Sequence, residues 1–217
     1  MPRILFINPN ASVGCTAGID MAVAPFRFAG GPAIDVVGLP DGPPAILSWR
    51  DWHQAAGPLC RHAEANAADA YVVACASDPG IEAVRALARV PVLGVFRCAV
   101  AAAVARAERF GVIAIVEASK ARHMAALRAM GLEARLAAEV ALNVSIDDLL
   151  DPALARAALI GAGRACVAAG ADTLVLGCTG MAHHRSAIED AAGVPVIEPC
   201  QAAALQAIGA LPPRSNA

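Results

Sequence analysis

Two stretches decide how the chain is read: residues 70–95, AYVVACASDPGIEAVRALARVPVLGV, and residues 172–199, DTLVLGCTGMAHHRSAIEDAAGVPVIEP. In each, a short run of β-forming residues ends in a cysteine, Cys75 or Cys178. A turn of small residues, an amphipathic stretch and a Val-Pro-Val that starts another strand then follow. The intervals from Cys75 to Pro91 and from Cys178 to Pro195 differ by one residue. The chain therefore carries an internal repeat, and ILFINPN at 4–10 and VIAIVEA at 112–118 occupy corresponding places in its halves.

Outward from the repeat, short β-rich runs alternate with longer alanine-rich stretches, the pattern of βαβ units building parallel sheets. Strands are expected at 4–8, 34–37, 71–74, 92–95, 112–116, 173–177 and 194–197. Helices are expected near 16–29, 49–66, 80–88, 98–107, 120–130, 152–169, 181–192 and 201–208. The expected fold is α/β, with two pseudo-symmetric, doubly wound lobes and a cleft between them. The lobes are placed at 1–107 and 108–211, with the C-terminal segment free to cross back to the first, and 212–217 reads as a polar tail.

Composition removes several function classes. The 217 residues are 58% hydrophobic and 17% charged, yet no apolar run reaches the roughly 18 residues of a membrane span. A net charge of −2, scattered basic residues and 4% aromatics give no footprint for nucleic acid. The N-terminus enters a strand too soon for a signal peptide, so a cytoplasmic protein is expected. Seven cysteines without a C-x-x-C pair suggest neither a disulfide framework nor a zinc site, and metal ligands are not expected. There is no Walker loop and no G-x-G-x-x-G after a strand. The expected partners are a small-molecule substrate and further copies of the chain.

Ligands of open parallel sheets bind beyond the carboxyl ends of the strands, where Cys75 and Cys178 both fall. Two thiols facing each other across a cleft suit inversion of a stereocentre, in which a proton leaves one face of a carbon and another arrives on the opposite face. Helix N-termini favour the thiolate form. Ser77 or Asp78 can cap the helix after Cys75, and Thr179 and Gly180 offer a hydroxyl and close backbone approach after Cys178. Cys60, Cys98 and Cys166 read as small apolar core side chains, while Cys15 and Cys200 lie near strand-to-helix junctions and stay open. His183 and His184, adjacent on one helix, do not share a face and read as exposed or capping residues. Trp49 and Trp52 read as packing residues.

At these motifs the sequence resembles the aspartate/glutamate racemase superfamily, and within it the hydantoin/allantoin racemase group. The matching features are I-N-P-N-A-S at 7–12, G-P-P-A-I at 42–46, D-A-Y-V-V-A-C-A-S-D-P-G at 69–80 and L-G-C-T-G-M at 176–181. The resemblance implies two α/β lobes and no pyridoxal phosphate, metal or other cofactor. It implies Cys75 and Cys178 as the acid/base pair, with Asn10, Ser77, Asp78, Thr179 and Gly180 in the substrate pocket. The sequence departs from the family pattern at Ala114-Ile115 and at Val95-Phe96-Arg97, and Glu117 is expected to reach the mouth of the cleft. The implied activity is cofactor-independent racemisation of a 5-substituted hydantoin or allantoin-like cyclic ureide. A dicarboxylate decarboxylase, a maleate-type cis–trans isomerase and a non-catalytic small-molecule binding protein on the same scaffold remain alternatives.

Overall fold

A computed structural model describes residues 1–145, 148–149 and 151–212. Residues 213–217, most of the expected polar tail, lie outside the described residues. The first half runs β1 (Arg3–Asn8), α1 (Val13–Val23), β2 (Ala33–Gly38), α2 (Trp49–Gln54), α3 (Ala56–Ala65), β3 (Ala70–Val73), α4 (Ile81–Leu87), β4 (Val92–Gly94) and α5 (Val95–Val104). The second runs β5 (Phe110–Ala114), α6 (Glu117–Met130), β6 (Leu136–Ala141), α7 (Pro152–Ala168), β7 (Thr173–Gly177), α8 (Arg185–Ala192), β8 (Val196–Ile197) and α9 (Pro199–Ala210). All six strand pairings are parallel, and the sheets have the same order, β2-β1-β3-β4 and β6-β5-β7-β8. The fold class read from the repeat is the observed one.

Strand β6, LAAEVA, was not expected. Its alanines favour helix, and its half-buried position on a sheet edge gives no apolar alternation to read. The single helix expected near 49–66 is two, joined at Ala55, and the stretch expected as a helix from 181 begins as a 3₁₀ turn, Thr179–His184. Among the described residues no helix is long and apolar enough to cross a membrane.

Alternation along the strands explains how the halves are joined. Ile4, Phe6 and Val72 of the first sheet share one core with Phe110, Val112, Val175 and Ile197 of the second. Their strand neighbours Leu5, Ile7, Tyr71 and Val73 turn to a separate core under α3 and α4, and Ile113, Leu174 and Leu176 turn to a third under α7 and α8. Because successive side chains face opposite ways, each sheet buries one face within its own half and the other in the shared core. Helix α9 closes that core from the C-terminus, packing on α5, α1 and β3 of the first half. Its N-terminus is set by Glu198, whose carboxylate accepts from the backbone N–H of Gln201 at 2.6 Å, with Pro199 in the first turn.

One glycine is required by close approach. A Cβ at Gly94, the last residue of β4, would lie 2.2 Å from the carboxyl carbon of Asp78. Gly94→Ala is expected to lower stability by about 1–3 kcal/mol, as overpacking of a filled site does. The shift in the urea midpoint measures it, and an unchanged midpoint would mean that the turn carrying Asp78 yields freely.

Candidate functional site

The carboxyl ends of β3 and β7 meet at one small cavity of about 40 Å³, and both Cys75 and Cys178 line it. Asn10, Ser77 and Thr179 line it as well, so the structure gathers five of the residues expected from sequence.

The loop after β1 builds the Asn10 wall. Asn8 is fully buried and its Nδ2 donates to Asn10 Oδ1 at 3.0 Å and to Thr16 Oγ1 at 2.9 Å, while the backbone N–H of Ser12 donates to the same Asn10 oxygen at 2.9 Å. With its oxygen used locally, Asn10 offers its amide nitrogen as the donor. Ser12 in turn caps α1 by accepting from the N–H of Cys15. Cys15 thereby becomes a third thiol in the cavity wall.

The turn after Cys75 is held from two directions. Trp52 donates its indole N–H to the carbonyl of Ser77 at 2.9 Å, so this tryptophan positions the site as well as packing. Asp78, with φ of 48°, has no exposed surface. Its Oδ1 accepts from Phe96 N at 2.9 Å, and its Oδ2 accepts from Arg97 N and Arg97 Nη1, both at 3.1 Å. Asp78 is therefore the cap of α5 and the partner of Arg97, and it does not line the cavity. Arg97 spends its other terminal nitrogen on Glu82 and is likewise turned away from the cleft.

Two further expected site residues lie outside this cavity. Glu117 opens α6 on the surface, pairs with Lys120 at 2.8 Å with 68% of its side chain exposed, and does not line the cavity. Gly180 lies in a neighbouring groove against α1, and only its backbone N–H bears on Cys178. His184 is buried beside the Leu149 carbonyl, not exposed, and among the described residues no cluster of three metal-binding side chains occurs. Cys98 and Cys166 are core residues, Cys60 is half-buried, and all seven cysteines are thiols.

Sequence reading missed the wall supplied by α6. Ser119, Arg122 and His123 line the cavity together and are all nearly fully buried. Their i, i+3, i+4 spacing puts them on one helix face, which was the available signal, but polar residues on such a face ordinarily mark the solvent side. His123 stacks on Phe96 with centroids 4.4 Å apart and bonds Glu139 through Nδ1 at 2.5 Å. Ile46 and Leu47, from the loop between β2 and α2, complete the enclosure.

Burial dominates both central thiols. It pushes Cys75 up to about 11, against the Ser77 N–H and hydroxyl and, more weakly, Arg122, which favour the thiolate. Cys178 is pushed higher still by burial and by nearby Cys15, with the Gly180 N–H opposing. At rest the pair is held as neutral thiols, and a thiolate has to be generated before either sulfur can accept a proton.

The Asp/Glu/Hydantoin racemase family model matches residues 4–207. A hydantoin racemase of Paenarthrobacter aurescens is 33% identical over 207 residues, spanning 93% of this chain and 87% of that protein. A hydantoin racemase of Rhizobium meliloti is 35% identical over 206 residues, spanning 93% and 85%. The solved allantoin racemase from Klebsiella pneumoniae superposes with a TM-score of 0.88 at 27% identity, over 99% of this chain and 95% of that one.

Removing the Asp78 carboxylate leaves Arg97 without that partner and the first N–H groups of α5 without an acceptor. Asp78→Ala should cost about 3–5 kcal/mol of stability, as broken buried ion pairs do. Asp78→Asn, which keeps an acceptor oxygen, should cost less. Chemical denaturation of the three proteins gives the order, and equal stability of all three would remove the capping role.

Proposed function

The chain belongs to the Asp/Glu/hydantoin racemase family, and we propose that it inverts the stereocentre of a 5-substituted hydantoin or allantoin-like cyclic ureide, with Cys75 and Cys178 as the two acid/base groups. The activity is that of an isomerase. The observation that carries the two-thiol reading is that both cysteines, each at the end of the corresponding strand of its half, line the same small cavity.

The ring C5–H is flanked by a carbonyl and a nitrogen, so its proton can be removed without a cofactor. One cysteine, as thiolate, takes that proton and becomes a thiol. The C–H electron pair delocalises onto the C4 carbonyl oxygen as an enolate. The opposite cysteine, as thiol, delivers its proton to the other face of C5 and is left as the thiolate. The roles exchange for the other enantiomer, and between turnovers of the same sense the first thiol gives its proton to solvent while the second sulfur takes one up. Asn10 through its amide, and Ser77 and Thr179 through their hydroxyls, supply donors around the ring. The small volume favours a compact planar ring. The thiol state of all seven cysteines fits a reducing compartment such as the cytoplasm. An assembly of like chains would cover the exposed apolar side chains of Val13, Met21 and Leu205.

Cys75→Ser and Cys178→Ser should each abolish racemisation of single-enantiomer hydantoins and allantoin followed by optical rotation. In heavy water each variant should retain exchange of C5–H in one enantiomer only. Cys60→Ala should stay within a few fold of the parent. Full racemase activity in both serine variants would end the two-thiol mechanism. Carbon dioxide release from a dicarboxylate, or binding without any exchange, would instead point to the decarboxylase or the binding protein.

The pH profile has a fixed sign. Because burial holds the thiols above their ordinary range and one must be ionised to act, kcat/KM should rise about tenfold per pH unit from about pH 6 to 9. A flat profile would mean that the thiolate is already formed at neutral pH.

A further inference from the structure

Arg122 is 2% exposed, yet among the described residues no carboxylate lies within ion-pair distance of it. Its terminal nitrogens are spent on neutral oxygens. Nη1 donates to the carbonyls of Leu47 at 3.3 Å and Ala118 at 3.1 Å, and Nη2 donates to the carbonyl of Ile46 at 3.5 Å and the hydroxyl of Ser119 at 3.1 Å. Its Nε is buried and has no hydrogen-bond partner. The two carboxylates close enough to affect it are committed elsewhere: Asp51 to the N–H groups of Leu47 and Ser48 and the Ser48 hydroxyl, and Glu139 to His123.

Leaving a guanidinium buried with an unmade N–H bond and no counter-ion is costly, because the desolvated charge is not repaid by an ionic partner. The residue sits in the wall that also holds Cys75, with Cys178 in the same cavity. No other arginine or lysine is found among the residues that line it. Among the remaining donors there, Asn10, Ser77, Ser119 and Thr179 are neutral, and His123 has its Nδ1 engaged by the Glu139 carboxylate. Arg122 therefore brings positive charge to the cavity wall without a carboxylate paired to it.

We propose that Arg122 is a further catalytic residue, whose guanidinium meets the ring carbonyl oxygen that takes up negative charge as the proton leaves C5. This rests on the ureide racemase reading. The side chain stays protonated throughout. It gains a full ionic partner only when the C–H electron pair reaches the oxygen, so its interaction is stronger with the enolate than with the neutral ring. Its terminal nitrogens, held on the carbonyls of Ile46 and Leu47 and on Ser119, tie α6 to the loop that lines the cavity. The same cation favours ionisation of Cys75, so it supports the charge before transfer, on sulfur, and after it, on oxygen.

Arg122→Gln removes the charge and keeps an amide donor for the loop carbonyls, and Arg122→Lys keeps the charge without the fork. The rate is followed by optical rotation and C5 deuterium incorporation. Anion recognition is followed by calorimetric binding of urazole, a planar ring with nitrogen in place of the racemised carbon and an anion at neutral pH. Arg122→Gln should lower kcat about a hundredfold, as loss of one oxyanion donor does, while KM changes only a few fold. Its urazole affinity should fall at least about tenfold while binding of neutral hydantoin changes little. Arg122→Lys should recover part of both, and it replaces the glutamine variant if that one does not fold. Retention of kcat and urazole affinity within threefold in Arg122→Gln, with normal racemisation by the parent, would overturn the role of Arg122 and leave the racemase reading intact. Loss of kcat with a lowered melting temperature and unchanged urazole affinity would reduce Arg122 to a strut. Absence of C5 exchange by the parent on every ureide would overturn the racemase reading itself, and the enolate role with it.

Discussion

The bond on which the site's geometry rests is the buried carboxylate of Asp78, which accepts from two backbone N–H groups at the head of α5 and from the guanidinium of Arg97. The residue takes a left-handed backbone conformation, which turns the chain sharply out of β3, and the absence of a side chain at Gly94 leaves room for it. An aspartate tolerates that conformation better than a β-branched residue would. The turn between Cys75 and α4 is thus tied to a helix of the shared core, and Trp52 locks its outer side through the Ser77 carbonyl. The turn carrying the thiol is held by hydrogen bonds on both sides.

The second half repeats the backbone without repeating that bond. Met181, which follows Cys178 at the interval by which Asp78 follows Cys75, is fully buried in the core behind β7, and a 3₁₀ turn carries the chain into α8. Apolar packing does there what an ion pair does in the first half. The environments of the sulfurs differ accordingly. Cys75 has a hydroxyl and a cation near it, whereas Cys178 has a neighbouring thiol and a single backbone N–H. Twofold symmetry of the sheets places the thiols, and the side chains around them break it.

Enclosure sets the energetic problem of the site. Burial strengthens each charge interaction at the site, and the same burial raises the thiol pKa values and opposes the charge of Arg122. The groups that oppose burial come from three separate elements: the turn after β3, the turn after β7 and one face of α6. Their convergence depends on the shared core, because the sheets bring their strand ends together only when Phe6, Val72, Val112 and Val175 are buried between them.

The repeat of cysteine, small-residue turn and Val-Pro-Val was legible because it is local. Short β-rich runs between alanine-rich stretches mark seven of the eight strands among the described residues, and matched intervals pair Cys75 with Cys178. What the sequence by itself determined was the class of fold, the duplication and the identity of the two thiols at the strand ends. Orientation was not legible. Asp78 and Glu117 are both acidic residues beside strand ends, yet one is buried as a helix cap and the other stands on the surface with Lys120. Arg122 and His123 carry the pattern of a solvated helix face but are turned inward, because α6 packs against the loop of Ile46 and Leu47 from the other half of the chain. Which polar residues face the cleft was decided by contacts between segments some 75 residues apart, and no local periodicity encodes a contact at that range.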